Sequence, residues 1–418
     1  MSVQYTTLPS GLRVVTDPMG SVETVATGVW VGAGTRHETE DVNGISHLLE
    51  HMAFKGTARR SAQDIAEEMD NVGGQLNAYT SRDHTAYYSK VLKEDTALAV
   101  DILTDILLNP AMDDEELARE QYVVVQEIYQ AIDTPDDIIF DHFQATAFPE
   151  QPMGWPVLGQ EAIVKSITSE GLKSYMTNHY AADAMVVSAS GAVDHDSFVS
   201  EVEKAFADLP SKTQVKESPG HYAGGDFRER RSLEQVHIVL GFNGVSFDDA
   251  DFYNIAALST LLGEGMSSRL FQEIREKRGL AYTVFSTAQS FSDAGLFSIY
   301  TGTGREDVTK LIPVLCDEIK KTTEKVSDAE VARARAQLKA GILMSLESPS
   351  SRCAQRARQI LVYGRPLSTD EIIERIEGVD ASGIAAAARR VFSGRPTLAA
   401  LGELDKLEDI DAIRARLQ

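Results

Sequence analysis

The order strand, helix, helix, strand occurs twice along this 418-residue chain, at an offset of roughly 210 residues. A repeat of that length is a duplicated domain and not a solenoid. In the first copy, alternation over 12–16 and the apolar-rich run over 25–31 predict strands, which Gly32-Ala33-Gly34-Thr35 breaks. A helix over 44–54 follows, with Gly56 placed to end it. Ser61 is a good N-cap for a second helix that carries Ile65, Met69 and Val72 on one face, and Gly73-Gly74 stops it. Strands over 75–80 and 85–92 and helices over 94–108 and 114–132 come next. The stretch 209–226, with Pro, Gly, Ser and charges in no clear period, reads as a linker. The pattern then restarts with a strand over 236–242, helices over 252–263 and 267–278, and a strand over 282–286. Ser327 with Glu330 forms a capping box for a further long helix that runs past Met344. These elements predict two homologous α+β domains, 1–215 and 220–418, each a mainly antiparallel sheet packed with helices.

The two copies differ at the first of these helices. The second has Ala257-Leu258-Ser259-Thr260-Leu261-Leu262 where the first has Ser46-His47-Leu48-Leu49-Glu50-His51. His47, Glu50 and His51 form an H-x-x-E-H sequence. Residues four apart lie on one helix face, one turn from each other, so the two imidazoles can converge on one metal ion. Glu50 shares that face and can reach a water held there. Catalytic zinc typically takes three protein ligands and keeps a position for water, whose proton a nearby carboxylate accepts. By composition alone such a match arises in about one or two chains of this length per hundred, so two histidines need support from elsewhere.

The predicted helix over 114–132 offers it. Glu120 and Glu127 are seven residues apart, two turns, and share one face. Both flank Tyr122-Val123-Val124-Val125, an apolar stretch expected to be buried. Carboxylates beside a buried face need partners, and a metal ion with its surrounding hydrogen bonds supplies them. A solvated helix face is the competing reading of the same two residues.

Charge narrows the partners. The formal net charge is −23, which repels nucleic acid and anionic lipid and attracts cationic ligands wherever it lines a cavity. No apolar run approaches the length of a membrane span. Cys316 and Cys353 are the only cysteines, too few for a disulfide framework, which fits a reducing compartment. The first twenty residues lack both a basic region followed by an apolar one and an Arg-rich, acid-poor composition. The expected location is therefore the cytoplasm, away from any membrane.

With these residues in place, the chain resembles the pitrilysin/insulinase-type zinc peptidases, in particular short bacterial members similar to the β subunit of the mitochondrial processing peptidase. The resemblance covers nearly the whole chain. Its signature block runs from Gly32-Ala33-Gly34-Thr35-Arg36 through Gly44-Ile45-Ser46-His47-Leu48-Leu49-Glu50-His51-Met52-Ala53-Phe54-Lys55-Gly56-Thr57. The resemblance implies Zn2+ held by His47, His51 and Glu127, the last in the pair Glu127-Ile128, with Glu120 supporting the metal site. Gly73-Gly74-Gln75-Leu76-Asn77-Ala78-Tyr79-Thr80 resembles the substrate-binding edge strand, where Asn77 and Ala78 would meet an extended peptide by β-augmentation. Gly265-Met266-Ser267-Ser268-Arg269-Leu270-Phe271 leads to Arg275 and Tyr282, which match an Arg/Tyr pair that reaches substrate; Arg278 competes with Arg275 for the first role.

The resemblance also implies a clamshell of two similar halves that encloses a chamber on dimerisation. Metal ligands and the Arg/Tyr pair occur in one chain, which points to a homodimer. The expected activity is zinc-dependent endopeptide hydrolysis. In it Glu50 is the proton acceptor and Tyr282 and Arg275 stabilise the oxyanion. Extended, basic peptides are the expected substrates. The rival expectation is a non-catalytic or partner-dependent peptide-binding subunit of the same fold.

Overall fold

The computed structural model describes residues 3–214 and 218–418. The domain limit drawn at residue 215 falls outside the described residues. The chain forms two compact units, each drawn from three stretches of sequence.

The first unit comprises residues 1–129, 155–218 and 343–368. Its sheet contains β1 (Gln4–Thr7), β2 (Arg13–Pro18), β3 (Thr24–Val31), β4 (Gln75–Thr80), β5 (Thr85–Leu92) and β6 (Met185–Gly191), in the order β1-β2-β6-β3-β5-β4. All neighbours are antiparallel except β2 and β6. β3 reads as a nearly unbroken apolar run because both of its faces are covered. Val25, Val29 and Val31 join the core under the helices α1 (Ile45–Ala53), α2 (Ala62–Asn71), α3 (Thr96–Leu108) and α4 (Asp114–Ile132). Ala26 and Trp30 point the other way, against Cys353, Ala357 and Ile360 of the helix Pro349–Tyr363. That helix is tied to the sheet by a buried ion pair between Arg356 Nε and Asp17 Oδ2 at 2.8 Å. β4 forms one edge of the sheet, the position the family resemblance implies for it.

The second unit comprises residues 130–154, 219–342 and 369–418. It contains α5 (Pro135–Ala147) and the strands β7 (Gly225–Arg230), β8 (Val236–Asn243), β9 (Ala281–Ser290), β10 (Gly295–Thr303) and β11 (Thr397–Gly402). The strand order is β7-β11-β8-β10-β9, again with one parallel pair, β7 with β11. Read from the edge, β9-β10-β8-β11-β7 repeats β4-β5-β3-β6-β2, so the duplication extends to topology and to the place of the parallel pair. Ile139, Phe143 and Ala147 of α5 cover one face of this sheet, against Val239, Leu296, Ala399 and Leu401. Each unit therefore draws one covering helix from the other half of the sequence, an exchange that the division into 1–215 and 220–418 does not include. Periodicity shows that a helix has an apolar face; it does not show which sheet that face will meet.

Three local expectations change. The helix expected over 267–278 is a shorter one over 269–276, π-helical over Phe271–Glu276 and preceded by turns. The predicted helix over 94–108 begins as a 3-10 turn, Lys93–Asp95, and becomes α3 at Thr96. The linker over 209–226 ends early, because β7 starts at Gly225. Among the described residues, no helix is long and apolar enough to cross a membrane.

Candidate metal centre

α1 begins at Gly44, whose φ of +96° favours glycine. Its backbone also packs against Gly159, where a Cβ on Gly44 would come within 2.8 Å of Cα. Leu48, Leu49 and Met52 bury one side of α1 in the core. His47, Glu50 and His51 come from its remaining face. The His47 and His51 rings lie 4.7 Å apart between centroids.

α4 brings the third group. Glu127 Oε2 is 3.6 Å from His47 Nε2 and 3.7 Å from His51 Nε2. These separations are too long for hydrogen bonds. They are close to the edge of about 3.3–3.4 Å expected between ligand atoms that each sit ~2.0–2.1 Å from a tetrahedral ion. One donor atom from each of the three residues falls within 4.8 Å of the others. His47 Nδ1 is buried without a hydrogen-bond partner. Burial, with His51 alongside, pushes the His47 imidazolium down to about 3, so the ring is neutral at physiological pH and offers a lone pair. Two imidazoles and one carboxylate suit zinc and several neighbouring metals.

Glu120 completes the arrangement from behind. It is 6% exposed, and its Oε2 lies 2.9 Å from His51 Nδ1. An ionised carboxylate only accepts, so Nδ1–H donates and Nε2 is left facing Glu127. Lys55 Nζ holds the other oxygen of Glu120 at 2.7 Å. The burial expected for the apolar stretch between the two glutamates holds for Val124 and Val125 and fails for its start: Tyr122 is 67% exposed and Val123 is also exposed. A helix with one covered face cannot bury four consecutive residues, since they project through more than a half-turn.

Glu50 turns toward β4, where Thr80 Oγ1 donates to its Oε2 at 2.6 Å. Burial raises the Glu50 carboxyl above its ordinary value, and Glu127 adds to this; the Thr80 bond and His51 oppose it. A carboxylate so placed is suited to accept a proton. Thr80 and Lys55 fall within the blocks that carry the resemblance, but the sequence assigns neither a role. Their contacts depend on which strand and which residue beyond α1 face the motif.

Asn77 and Ala78 lie on the edge strand β4. Asn77 Oδ1 accepts from Ala78 N at 2.8 Å, so the side chain expected to meet a substrate backbone is turned onto the next N–H of its own strand. Arg275 and Tyr282 lie in the second unit, with the Arg275 guanidinium 4.5 Å from the centre of the Tyr282 ring and 4.7 Å from that of Phe271. Tyr282 is 74% exposed. The competitor Arg278 is engaged by both the carboxylate and the backbone carbonyl of Glu273, so Arg275 is the one that stacks on Tyr282.

The chain is similar to known proteins along most of its length. Residues 13–161 match the family described as Insulinase (Peptidase family M16), and residues 166–338 match the Peptidase M16 inactive domain. The chain is 40% identical to an "Uncharacterized zinc protease" of Rickettsia felis, over 95% of this chain and 97% of that one. It is 37% identical to a zinc protease of Bacillus subtilis with the same description, covering 93% and 95%. To the "Probable mitochondrial-processing peptidase subunit beta" of Arabidopsis thaliana the identity is 36%, covering 99% and 81%. The crystal structure of a protease from Helicobacter pylori superposes with a TM-score of 0.89 at 24% identity, covering 96% and 99%; that likeness carries the fold.

Proposed function

The chain belongs to the M16 (insulinase) family of peptidases, and on that premise we propose that it is a zinc-dependent endopeptidase acting on extended peptides. The observation that carries this reading is the convergence of His47, His51 and Glu127 beside a partly buried Glu50. A catalytically idle relative has no need to keep that set together.

His47, His51 and Glu127 would hold the ion, and Glu120 would fix the His51 ring. Bound zinc supplies Lewis acidity, activating water and polarising the scissile carbonyl. Glu50 takes the proton from the attacking water at its carboxylate and delivers it to the departing amine. Thr80 holds that carboxylate in one rotamer. The free edge of β4 would pair with the substrate backbone without reading its sequence. We assign Tyr282 and Arg275 to the substrate carbonyl; the exposed phenol, braced by the guanidinium, supports that role. The net charge of −23 supports a preference for basic peptides, and two copies of this chain are the proposed working assembly.

The test is cleavage of an unstructured, basic, quenched-fluorescent peptide by wild type and Glu50→Gln, with the metal content of both measured. Wild-type turnover together with a metal-loaded, inactive Glu50→Gln is the expected result. Equal cleavage by the two proteins would overturn the assignment. Bound metal with no turnover in either would favour a peptide-binding subunit that needs a partner.

A further inference from the structure

α1 starts at a residue with no side chain, so its first N–H groups need an acceptor from elsewhere. Glu38 supplies it. Its Oε2 accepts from Gly44 N at 2.8 Å and from Asn43 Nδ2 at 2.9 Å, and its Oε1 accepts from Ser46 N at 2.9 Å. Gly44 is the N-cap and Ser46 the second helical residue. One carboxylate thus does the work of an N-cap side chain from six residues upstream, against the positive end of the helix. Glycine is kept at the cap by its φ and by Gly159, which is why the acceptor is remote.

Glu38 is buried. Burial pushes its carboxyl up, while the bonds from Gly44, Ser46 and Asn43 pull it down. Such a group is costly to place without purpose. His47 follows Ser46 directly, so the backbone that Glu38 fixes is the backbone from which the first imidazole projects. The Ser46 hydroxyl is itself held, 2.8 Å from the Tyr175 hydroxyl.

We propose that Glu38 is a positioning residue of the metal centre: by clamping the first turn of α1 it sets the place of His47 relative to Glu127. This rests on the reading that His47, His51 and Glu127 hold the metal. The glutamine variant E38Q keeps the size but turns an N–H donor toward groups that are themselves donors. The expected result is about 10–100-fold weaker zinc binding, the range seen when groups supporting a ligand are lost, with part of the affinity recovered in E38D.

Zinc affinity would be measured by competition with a chromophoric chelator, with thermal unfolding of the metal-free proteins recorded in parallel. Ser61→Ala, which removes the N-cap of α2, is the control for a lost cap on a helix without ligands. Zinc affinity unchanged within about twofold in E38Q, with an unfolding midpoint lowered as in Ser61→Ala, would show a purely structural role and overturn the proposal. If E38Q does not fold, Asn43→Ser decides, since it removes a single donor to the same carboxylate. At least a threefold loss, roughly, is expected there, and none would overturn the proposal. Wild type that binds no zinc, or His47→Ala that binds it as tightly, would instead overturn the metal reading on which this rests.

Discussion

Glu120 and His51 lie on different helices and meet through a 2.9 Å contact between carboxylate oxygen and Nδ1. The bond leaves the other ring nitrogen of His51 directed toward Glu127. Glu120→Gln keeps the shape but removes the charge that orients the ring and pairs with Lys55. Zinc affinity should fall by roughly 10–100-fold, as read by chelator competition, with kcat falling at saturating zinc as well.

Thr80 is bonded to Glu50, the proposed proton acceptor. Thr80→Val deletes the hydroxyl that donates to Glu50 and preserves the volume. A hydrogen bond to a charged group is worth about 1.5–3 kcal/mol, so kcat should drop by at least about tenfold. Zinc affinity should stay at the wild-type value. A parallel loss of zinc would mean that Thr80 works through the ligands.

Asp17 and Arg356 form a buried pair joining β2 to the helix Pro349–Tyr363. Asp17→Asn leaves the buried Arg356 guanidinium without a counter-charge, its other bonds going to Gln359 and the Leu367 carbonyl, and breaking such a pair costs about 3–5 kcal/mol. Replacing both residues by Leu removes the unbalanced buried charge and should cost less than the single change. Urea unfolding of the three proteins would show this order.

Glu330 gives a defined pH dependence. Desolvation pushes its carboxyl up, but Arg269 and Ser327 outweigh it and hold it at about 2, against an ordinary 4.5. The folded state therefore favours the charged form. The stability Glu330 contributes is fully present above about pH 4.5 and is lost as pH falls toward 2. Glu330→Gln should lower the unfolding midpoint at pH 7, and the gap from wild type should close as the pH is lowered through that window. A gap that does not depend on pH would assign the effect to packing.

What the sequence by itself determined is local. The spacing of His47, Glu50 and His51 needs only the pitch of a helix, and the seven-residue step from Glu120 to Glu127 needs two turns of another. The duplicated order of strands and helices is likewise carried by short-range periodicity. The partner of each group was decided by the tertiary structure. Thr80 reaches Glu50 from an edge strand thirty positions away, and Lys55, just past the end of α1, meets Glu120 of α4. Glu38 caps a helix that its own segment does not enter. The same holds for packing. Tyr122 lies in an apolar run yet is exposed, and the helix Pro349–Tyr363 covers the sheet of the first unit. Periodicity records that a face is apolar or a carboxylate needs a partner. Which surface or donor answers is fixed by long-range contacts, and these leave no regular spacing in the chain.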